Sequence, residues 1–446
     1  MKHLPKGSKK LLNAWAFYDW ANSVYSLVIA STIFPIFYAA LTIVKNEQGD
    51  IIDDSVYLLG FNFNNDSLIS YVTALAFLVV AIMSPFLSGI ADYVGNKKNF
   101  LKFFCYLGAV SCIGLFWFNL ENLLFGLLCY FLALIGFWSS LVFYNSYLPD
   151  IAFPDQQDKV SARGFSMGYI GSVILLILCL GMIMNYEWFG FESESFPTRL
   201  SFVLTGIWWI GFSQITYYYL PKGNKKQTLT RDVMFNGFKE LKLIWKSLQH
   251  NPQLKKYLRA FFVYSMAVQT VMLIATYFGI EEVNWSGQDA TTGLIVSILL
   301  IQLVAVAGAT ITSRLSARMG NIPTLIMVNI IWIMICVYAF FVKTPVQFYI
   351  AAGLVGLVMG GIQTLSRSTY SKMLPENTLD TASYFSFYDV SEKIGIVIGM
   401  VLYGVVAEVF GSIRFSILFL TAFFLVGVVL LLRVPKEKLE PKKETA

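Results

Sequence analysis

The sequence predicts an all-α integral membrane protein of twelve transmembrane helices, arranged as two parallel six-helix repeats. Three observations predict it. First, 57% of the 446 residues are hydrophobic and only 13% are charged, against roughly a quarter charged in an average soluble domain. No water-soluble core could take up that much apolar side chain. Second, apolar runs recur along the whole chain, each of the ~18 residues or more that a helix needs to cross a hydrocarbon layer about 30 Å thick. Third, the two halves carry matching residues at nearly constant offset.

The spans fall near residues 13–44, 67–92, 100–118, 122–147, 164–186 and 198–220, then 257–280, 290–313, 322–342, 345–372, 381–408 and 413–433. They define an N-terminal bundle over 1–220, a linker over 221–256 and a C-terminal bundle with a tail over 257–446. The first run is too long for a cleaved signal peptide, contains Asp19 and Asn22, and lacks a small-residue cleavage site, so it is expected to stay in the mature protein.

Charge sets the orientation. With the N-terminus inside, the inner segments hold 29 of the 33 Lys and Arg residues, and the outer ones hold only Lys45, Arg199, Lys343 and Arg414. Both termini are therefore expected to be cytoplasmic, in the cell membrane of a bacterium or the vacuolar membrane of a fungus. The net charge of +6 is dealt out among inner loops, which is membrane topology and argues against a nucleic-acid partner.

The same inventory argues against most chemistry. Cys105, Cys112, Cys129, Cys179 and Cys336 lie inside predicted spans with no CxxC pair, so they read as small core residues. The two histidines, His3 and His250, lie in inner loops, away from any intramembrane metal or base role. No G-x-x-x-x-G-K-[ST] phosphate loop is present, so transport driven by the chain's own ATP hydrolysis is excluded. No cofactor and no metal are expected.

The repeat aligns Lys9, Lys10, Leu12, Ala14, Tyr18, Ala21 and Leu27 with Lys255, Lys256, Leu258, Ala260, Tyr264, Ala267 and Leu273. Gly95-Asn96 pairs with Gly320-Asn321, and Leu148-Pro149 with Leu374-Pro375. The offset falls between the first anchors and the later ones because the loop 45–66 is longer than its counterpart at 281–289. Two parallel halves suit a rocking transporter with its solute site between them at mid-membrane. In the linker, Met234, Phe238, Leu241, Trp245 and Leu248 recur at helical spacing with Lys239, Lys242 and Lys246 between them. They predict an amphipathic helix, lying either on the acidic inner leaflet or in solvent.

The segment from Ser88 to Lys98, SGIADYVGNKK, resembles the signature loop of the major facilitator superfamily. Gly89 allows close helix approach, Gly95 permits a tight turn, Lys97 and Lys98 sit at the inner surface, and Asp92 can neutralise a neighbouring positive helix end. The resemblance implies a gating loop that latches the two halves together in the outward-facing state. More narrowly, FYDWANS at 17–23, NSYLPDIA at 145–152, GGIQTLSRS at 360–368 and SFYDVS at 386–391 are similar to the autophagy-related vacuolar amino-acid effluxers and their bacterial relatives. That likeness covers about 13–434 and implies a transporter, with amino-acid efflux in the fungal branch. Glu392-Lys393 departs from the family's usual pattern of Gly then Lys.

On the first helix Trp15, Tyr18, Asp19, Asn22, Ser23, Tyr25 and Ser26 share an arc of about 160° when plotted at 100° per residue. Tyr18, Asn22 and Tyr25, with Asn145, Gln269 and Gln363 on other spans, are the candidates to line the solute cavity; hydrogen bonding between helices is the plainer role for each. Ionisable groups inside spans cost about 2.5–3.5 kcal/mol each unless paired or hydrated. They are Asp19 and a charge network of Arg367, Asp389, Glu392 and Lys393. Asp389 and Lys393, four apart, read as a structural or gating pair, and Arg367 either snorkels or pairs with a carboxylate. Gly164, Gly168 and Gly171 on the fifth span, and Gly395 and Gly399 on the eleventh, have spacing for close helix contact.

Asp19 is the expected proton-coupling group. Counted from Leu11 it lies about 12 Å along the helix at 1.5 Å per residue, too deep for a short acid to snorkel. Its repeat counterpart is Ser265, so the charge is not needed merely to build the fold twice. The competing role is a permanent partner for Arg367 or Lys393. The favoured function is a secondary transporter moving a small polar solute, an amino acid or short peptide first, with protons as coupling ion and the bilayer as its other partner. A solute sensor or lipid-handling protein on the same scaffold is the alternative. A membrane enzyme is disfavoured, because no nucleophile, base and orienter stand at readable spacing.

Overall fold

The protein is seen here as a computed structural model describing residues 4–45, 51–223, 233–285, 289–375, 378–410 and 413–435, with side chains covered except at 45, 51, 66, 233–238 and 240–241. The linker positions Met234, Phe238 and Leu241 thus have side chains outside the described residues. Thirteen long helices follow in order: α1 (Lys9–Thr42), α2 (Asn65–Val94), α3 (Lys97–Gly114), α4 (Leu123–Asn145), α5 (Pro154–Met184), α6 (Ser195–Tyr219), α7 (Val233–His250), α8 (Pro252–Glu282), α9 (Ala290–Met319), α10 (Asn321–Phe341), α11 (Pro345–Lys372), α12 (Thr381–Phe410) and α13 (Ile413–Leu432).

Eleven are long and apolar enough to cross a membrane; α6 and the linker helix α7 are the exceptions. Yet α6 has 25 residues, enough for about 37 Å at 1.5 Å per residue. Its hydropathy is lowered by polar groups that turn inward: Ser201, Thr205, Ser213 and Thr216 are buried. Thr216 donates to the Ala14 carbonyl at 2.8 Å and the Trp208 indole to the Trp20 carbonyl at 3.1 Å, so α6 is tied to α1 and coincides with the sixth expected span.

Proline and capping chemistry start the helices where the sequence changes. Pro252 opens α8 behind Asn251, whose side chain accepts from Leu254 N–H. Asp289 caps α9 through Thr291 and Thr292, and Thr344 with Gln347 forms a capping box before Pro345 on α11. The α2–α3 and α9–α10 turns both need a left-handed residue, supplied by Gly95 at φ 68° and Gly320 at φ 88°. The same residue solves the same turn in each repeat.

Three features depart from simple helical expectations. Within α1, Tyr25–Ile33 is π-helical, so positions plotted at 100° per residue lose phase there; Tyr25 is buried while Ser26 is exposed. The loop 45–66 contains two antiparallel ribbons, β1 (Val44–Lys45) with β2 (Ile51–Asp53), and β3 (Ser55–Leu58) with β4 (Phe61–Asn64). The second closes on Leu59 and Gly60, both at positive φ. On α7 the buried residues are Ile244 and Leu248, whereas Trp245, assigned to the apolar stripe, is exposed. The helix docks on α2 and α12, so the described apolar positions Ile244 and Leu248 are covered by protein.

Buried apolar side chains fall into two large clusters. One draws on residues 11–220 plus Ala382; the other draws on 244–434 plus Val142 and Tyr169. Small residues let helices meet within each: a Cβ at Gly168 would stand 2.4 Å from Ser23 Oγ on α1, and one at Gly399 only 2.1 Å from Thr270 Oγ1 on α8. The fifth and eleventh expected spans therefore make matching close contacts with the first and seventh.

Candidate functional site

Side-chain hydrogen bonds joining the two clusters lie, among the described residues, in the half of the membrane nearest the chain's N-terminal end, here called the terminal face. The most extensive group is built on α1 and α11. Arg367 is 3% exposed, and its guanidinium meets Asp19 Oδ2 at 3.3 Å, Asn145 Oδ1 at 3.2 Å, Ser161 Oγ at 3.0 Å and the Ser161 carbonyl at 3.0 Å. Tyr144 donates to the same Asp19 oxygen at 2.8 Å. Trp15, Tyr144 and Phe165 surround the guanidinium with ring centres 4.9, 5.5 and 4.1 Å away. Gly164 makes this possible, since a Cβ there would stand 2.3 Å from Asp19 Oδ2. Arg367 thus pairs with a carboxylate and does not snorkel. Beside it Tyr169 donates to Gln363 at 2.6 Å, and Ser161 to the Thr364 carbonyl at 2.9 Å.

A second buried node stands on α12. Lys393, 1% exposed, meets Asp389 at 3.0 Å and Glu392 at 2.9 Å. Its ammonium lies 3.5 Å from the ring centre of Trp138 on α4, and Gln269 of α8 donates to Glu392 at 2.8 Å. The four residues grouped from sequence as one charge network therefore divide in two: Arg367 faces α1 and α5, while Asp389, Glu392 and Lys393 face α4 and α8.

The cavity candidates separate as well. Asn145, Gln269 and Gln363 belong to these nodes. Tyr18 and Tyr25, seven residues apart and so on one helix face, point into the N-terminal bundle. Tyr18 stacks near Tyr144 and Tyr217, and Tyr25 near Phe137 and Trp209; they fill a core, because that side of α1 meets α4 and α6. Asn22 is 1% exposed, and its Nδ2 finds no partner among the described residues. On the side away from the terminal face, a cavity of about 130 Å³ lies between Leu27 and Ser31 of α1 and residues of the other cluster that include Gln302 and Phe348.

At the terminal face the signature loop makes two kinds of contact. Asp92 accepts from the backbone of Ala382 at 3.3 Å and Ser383 at 2.7 Å, the exposed N–H groups of the first turn of α12. Gly89 is buried one turn earlier. Lys97 bonds Asp150, the Ser146 carbonyl at 3.0 Å and Thr381 at 2.7 Å, and Lys98 donates to the Leu220 carbonyl at 2.7 Å. Beneath them α7 hydrogen-bonds α12 through Ser247 and Tyr384 at 2.7 Å.

Across the molecule is a contact that sequence reading missed. Asp158 on α5 accepts from Ser316 at 2.9 Å, Asn321 at 2.9 Å and Lys372 at 2.7 Å. The offset that carries Gly95 onto Gly320 carries Asp158 onto Ser383, so a faint signal existed in the repeat, but nothing in the local sequence points to it.

Helices in this order, closed on one face by contacts between two bundles, define a major facilitator fold. Solved structures agree: the fucose:proton symporter of E. coli matches with TM-score 0.66 at 15% identity over 96% of this chain and 98% of that one. A bacterial homologue of the iron transporter ferroportin, in its outward-facing state, matches with TM-score 0.63 at 13% identity over 95% and 98%. The chain belongs to the Atg22-like vacuole effluxer family, which matches residues 7–444. It is 32% identical over 433 residues to an uncharacterised MFS-type transporter, YxiO, of Bacillus subtilis, covering 95% of each chain. It is 23% identical to autophagy-related protein 22-1 of Aspergillus niger, covering 97% of this chain and 89% of that one. The protein is thus a multi-pass membrane transporter of this superfamily, not an enzyme.

Proposed function

We propose that the protein is a secondary active transporter moving a small polar solute, an amino acid or short peptide first, by alternating access of bundles 1–220 and 257–446 about the linker 221–256, with both termini cytoplasmic and protons as the coupling ion. The observation that carries this reading is the buried Asp19–Arg367 pair joining α1 to α11. Removing one partner of a buried pair leaves an uncompensated charge, at a cost of about 3–5 kcal/mol. Protonation of Asp19 would leave Arg367 in that state inside its aromatic box, and the carboxylate of an incoming solute relieves it. Proton and solute are then linked because both act on one guanidinium. The second node holds two carboxylates against one ammonium, an excess that suits the amino group of a zwitterion. The family's description as vacuole effluxers supports movement of a solute across a membrane.

Asp19→Asn in proteoliposomes tests this. The variant is expected to exchange labelled amino acids across the bilayer but to accumulate none when a pH gradient is applied. Full pH-driven accumulation by the variant would remove Asp19 from coupling. Binding or lipid movement without solute flux in the parent protein would favour a sensor or lipid-handling role.

A further inference from the structure

Where α1, α5 and α6 meet at the terminal face, a lipid-facing groove of about 410 Å³ opens, away from both buried nodes. Each helix contributes one stripe. Lys9, Lys10, Asn13 and Phe17 come from α1, Arg163 and Met167 from α5, and Tyr219 and Ile215 from α6. All three stripes run the same way: α1 and α5 start at the terminal face and α6 ends there, so cations and Tyr219 lie at the mouth and Phe17, Met167 and Ile215 lie deeper. The distance from Lys9 to Phe17 is about 12 Å along the helix at 1.5 Å per residue. Beyond Phe17 the apolar floor continues through Trp20 and Phe212, with ring centres 5.9 Å from Phe17.

The charges at the mouth are unpaired. Among the described residues none of Lys9, Lys10 or Arg163 forms an ion pair, while Lys97, Arg367, Lys372, Lys393 and Arg414 all do. Lys10 instead lies 4.9 Å from the ring centre of Tyr219, and Arg163 hydrogen-bonds Asn13. Among the described residues no carboxylate lines the groove. Three uncompensated cations at the membrane edge, above an apolar trough, match a ligand with an anionic head and a hydrocarbon tail.

We infer that this groove binds one anionic phospholipid, its phosphate held by Lys9, Lys10 and Arg163 and an acyl chain lying along Phe17, Met167 and Ile215. The apolar depth distinguishes it from a site for a soluble phosphate, which needs only the mouth.

Native mass spectrometry of the full-length protein in detergent reads this directly, using phosphatidylglycerol and phosphatidylcholine with identical acyl chains. Half-saturation by phosphatidylglycerol is expected at least tenfold lower, and the Lys9→Gln, Lys10→Gln, Arg163→Gln triple variant is expected to lose that preference. Arg314→Gln with Arg318→Gln, cations on α9 that do not line the groove, should keep it. Equal retention of the two lipids, or a triple variant that keeps the preference, overturns the proposal. Displacement of the lipid by equimolar glycerol 3-phosphate overturns it in favour of a soluble phosphate ligand. If the triple variant is not monodisperse, Lys10→Gln alone is read, with a several-fold loss expected and no change refuting the site.

Discussion

The two contacts that close the terminal face occupy related places in the repeat and use different chemistry. On one side Asp92, at the end of α2, accepts two backbone N–H groups from the start of α12. On the other, the carboxylate has moved to the start of α5, where Asp158 meets only side chains: Ser316 of α9, Asn321 of α10 and Lys372 of α11. Helix ends attract charge weakly and without selecting a partner residue, because every helix offers the same unsatisfied N–H groups. A carboxylate shared by an ammonium, an amide and a hydroxyl is stronger and selects particular side-chain partners. Under the proposed alternating access, a contact that breaks in every cycle is built here from a weak, generic half and a strong, particular half, and the difference states which side should resist opening.

Substitutions can break that comparison in graded steps. The largest effect is expected for Asp158→Ala, which leaves the ammonium of Lys372, 14% exposed at its side chain, with Asn321 alone among the described residues. The pair is partly buried, so the cost falls below that of breaking a fully buried one, about 3–5 kcal/mol. A reporter Thr364→Cys, at a position wholly buried in the closed form, should become reactive to a membrane-impermeant maleimide from the terminal face; the five native cysteines are buried. Continued protection of the reporter would show that Asp158 does not hold the face shut. Asn321→Ala comes next: it removes the hydrogen bonds to Asp158, Lys372 and Thr369 but leaves the Lys372–Asp158 ion pair in place, and should give partial reactivity.

The smallest effect belongs to Asp92→Asn. The amide keeps one acceptor but loses the charge facing the end of α12, worth about 0.3–1 kcal/mol, or near 2 when partly buried. Reporter reactivity should rise only slightly, with transport lowered and insertion retained. An Asp92→Asn response as large as that of Asp158→Ala would mean the two sides are energetically alike and would remove the asymmetry argued above.

Much of the architecture was legible because the bilayer leaves the backbone few options. Long apolar runs must become helices, Gly95 and Gly320 stand where only a left-handed turn fits, and Asp92 could be matched to a helix end without knowing which one. The ribbons at 44–64 and the π segment at Tyr25–Ile33 were not legible. Short strands carry no periodicity, and an extra residue per turn leaves no mark in composition.

The sites were legible as residues and only partly as partners. Burial cost alone singles out Asp19, Arg367, Asp389, Glu392 and Lys393, since a charge inside a span demands an explanation, and the spacing of four pairs Asp389 with Lys393. That Asp19 is answered by Arg367 and not by Lys393, and that Lys393 also meets Glu392 and the face of Trp138, is a matter of packing. Periodicity says which residues share a side of a helix. It cannot say which helix lies opposite, so Tyr18 and Tyr25 passed as cavity residues until α4 and α6 were seen to cover them. The sequence by itself determined that this chain spans a membrane as two related helical halves, because solvation energy is summed residue by residue. Only the tertiary structure decided the Asp158 contact and the pairing across 348 positions of Asp19 with Arg367, because an ion pair depends on distance in space.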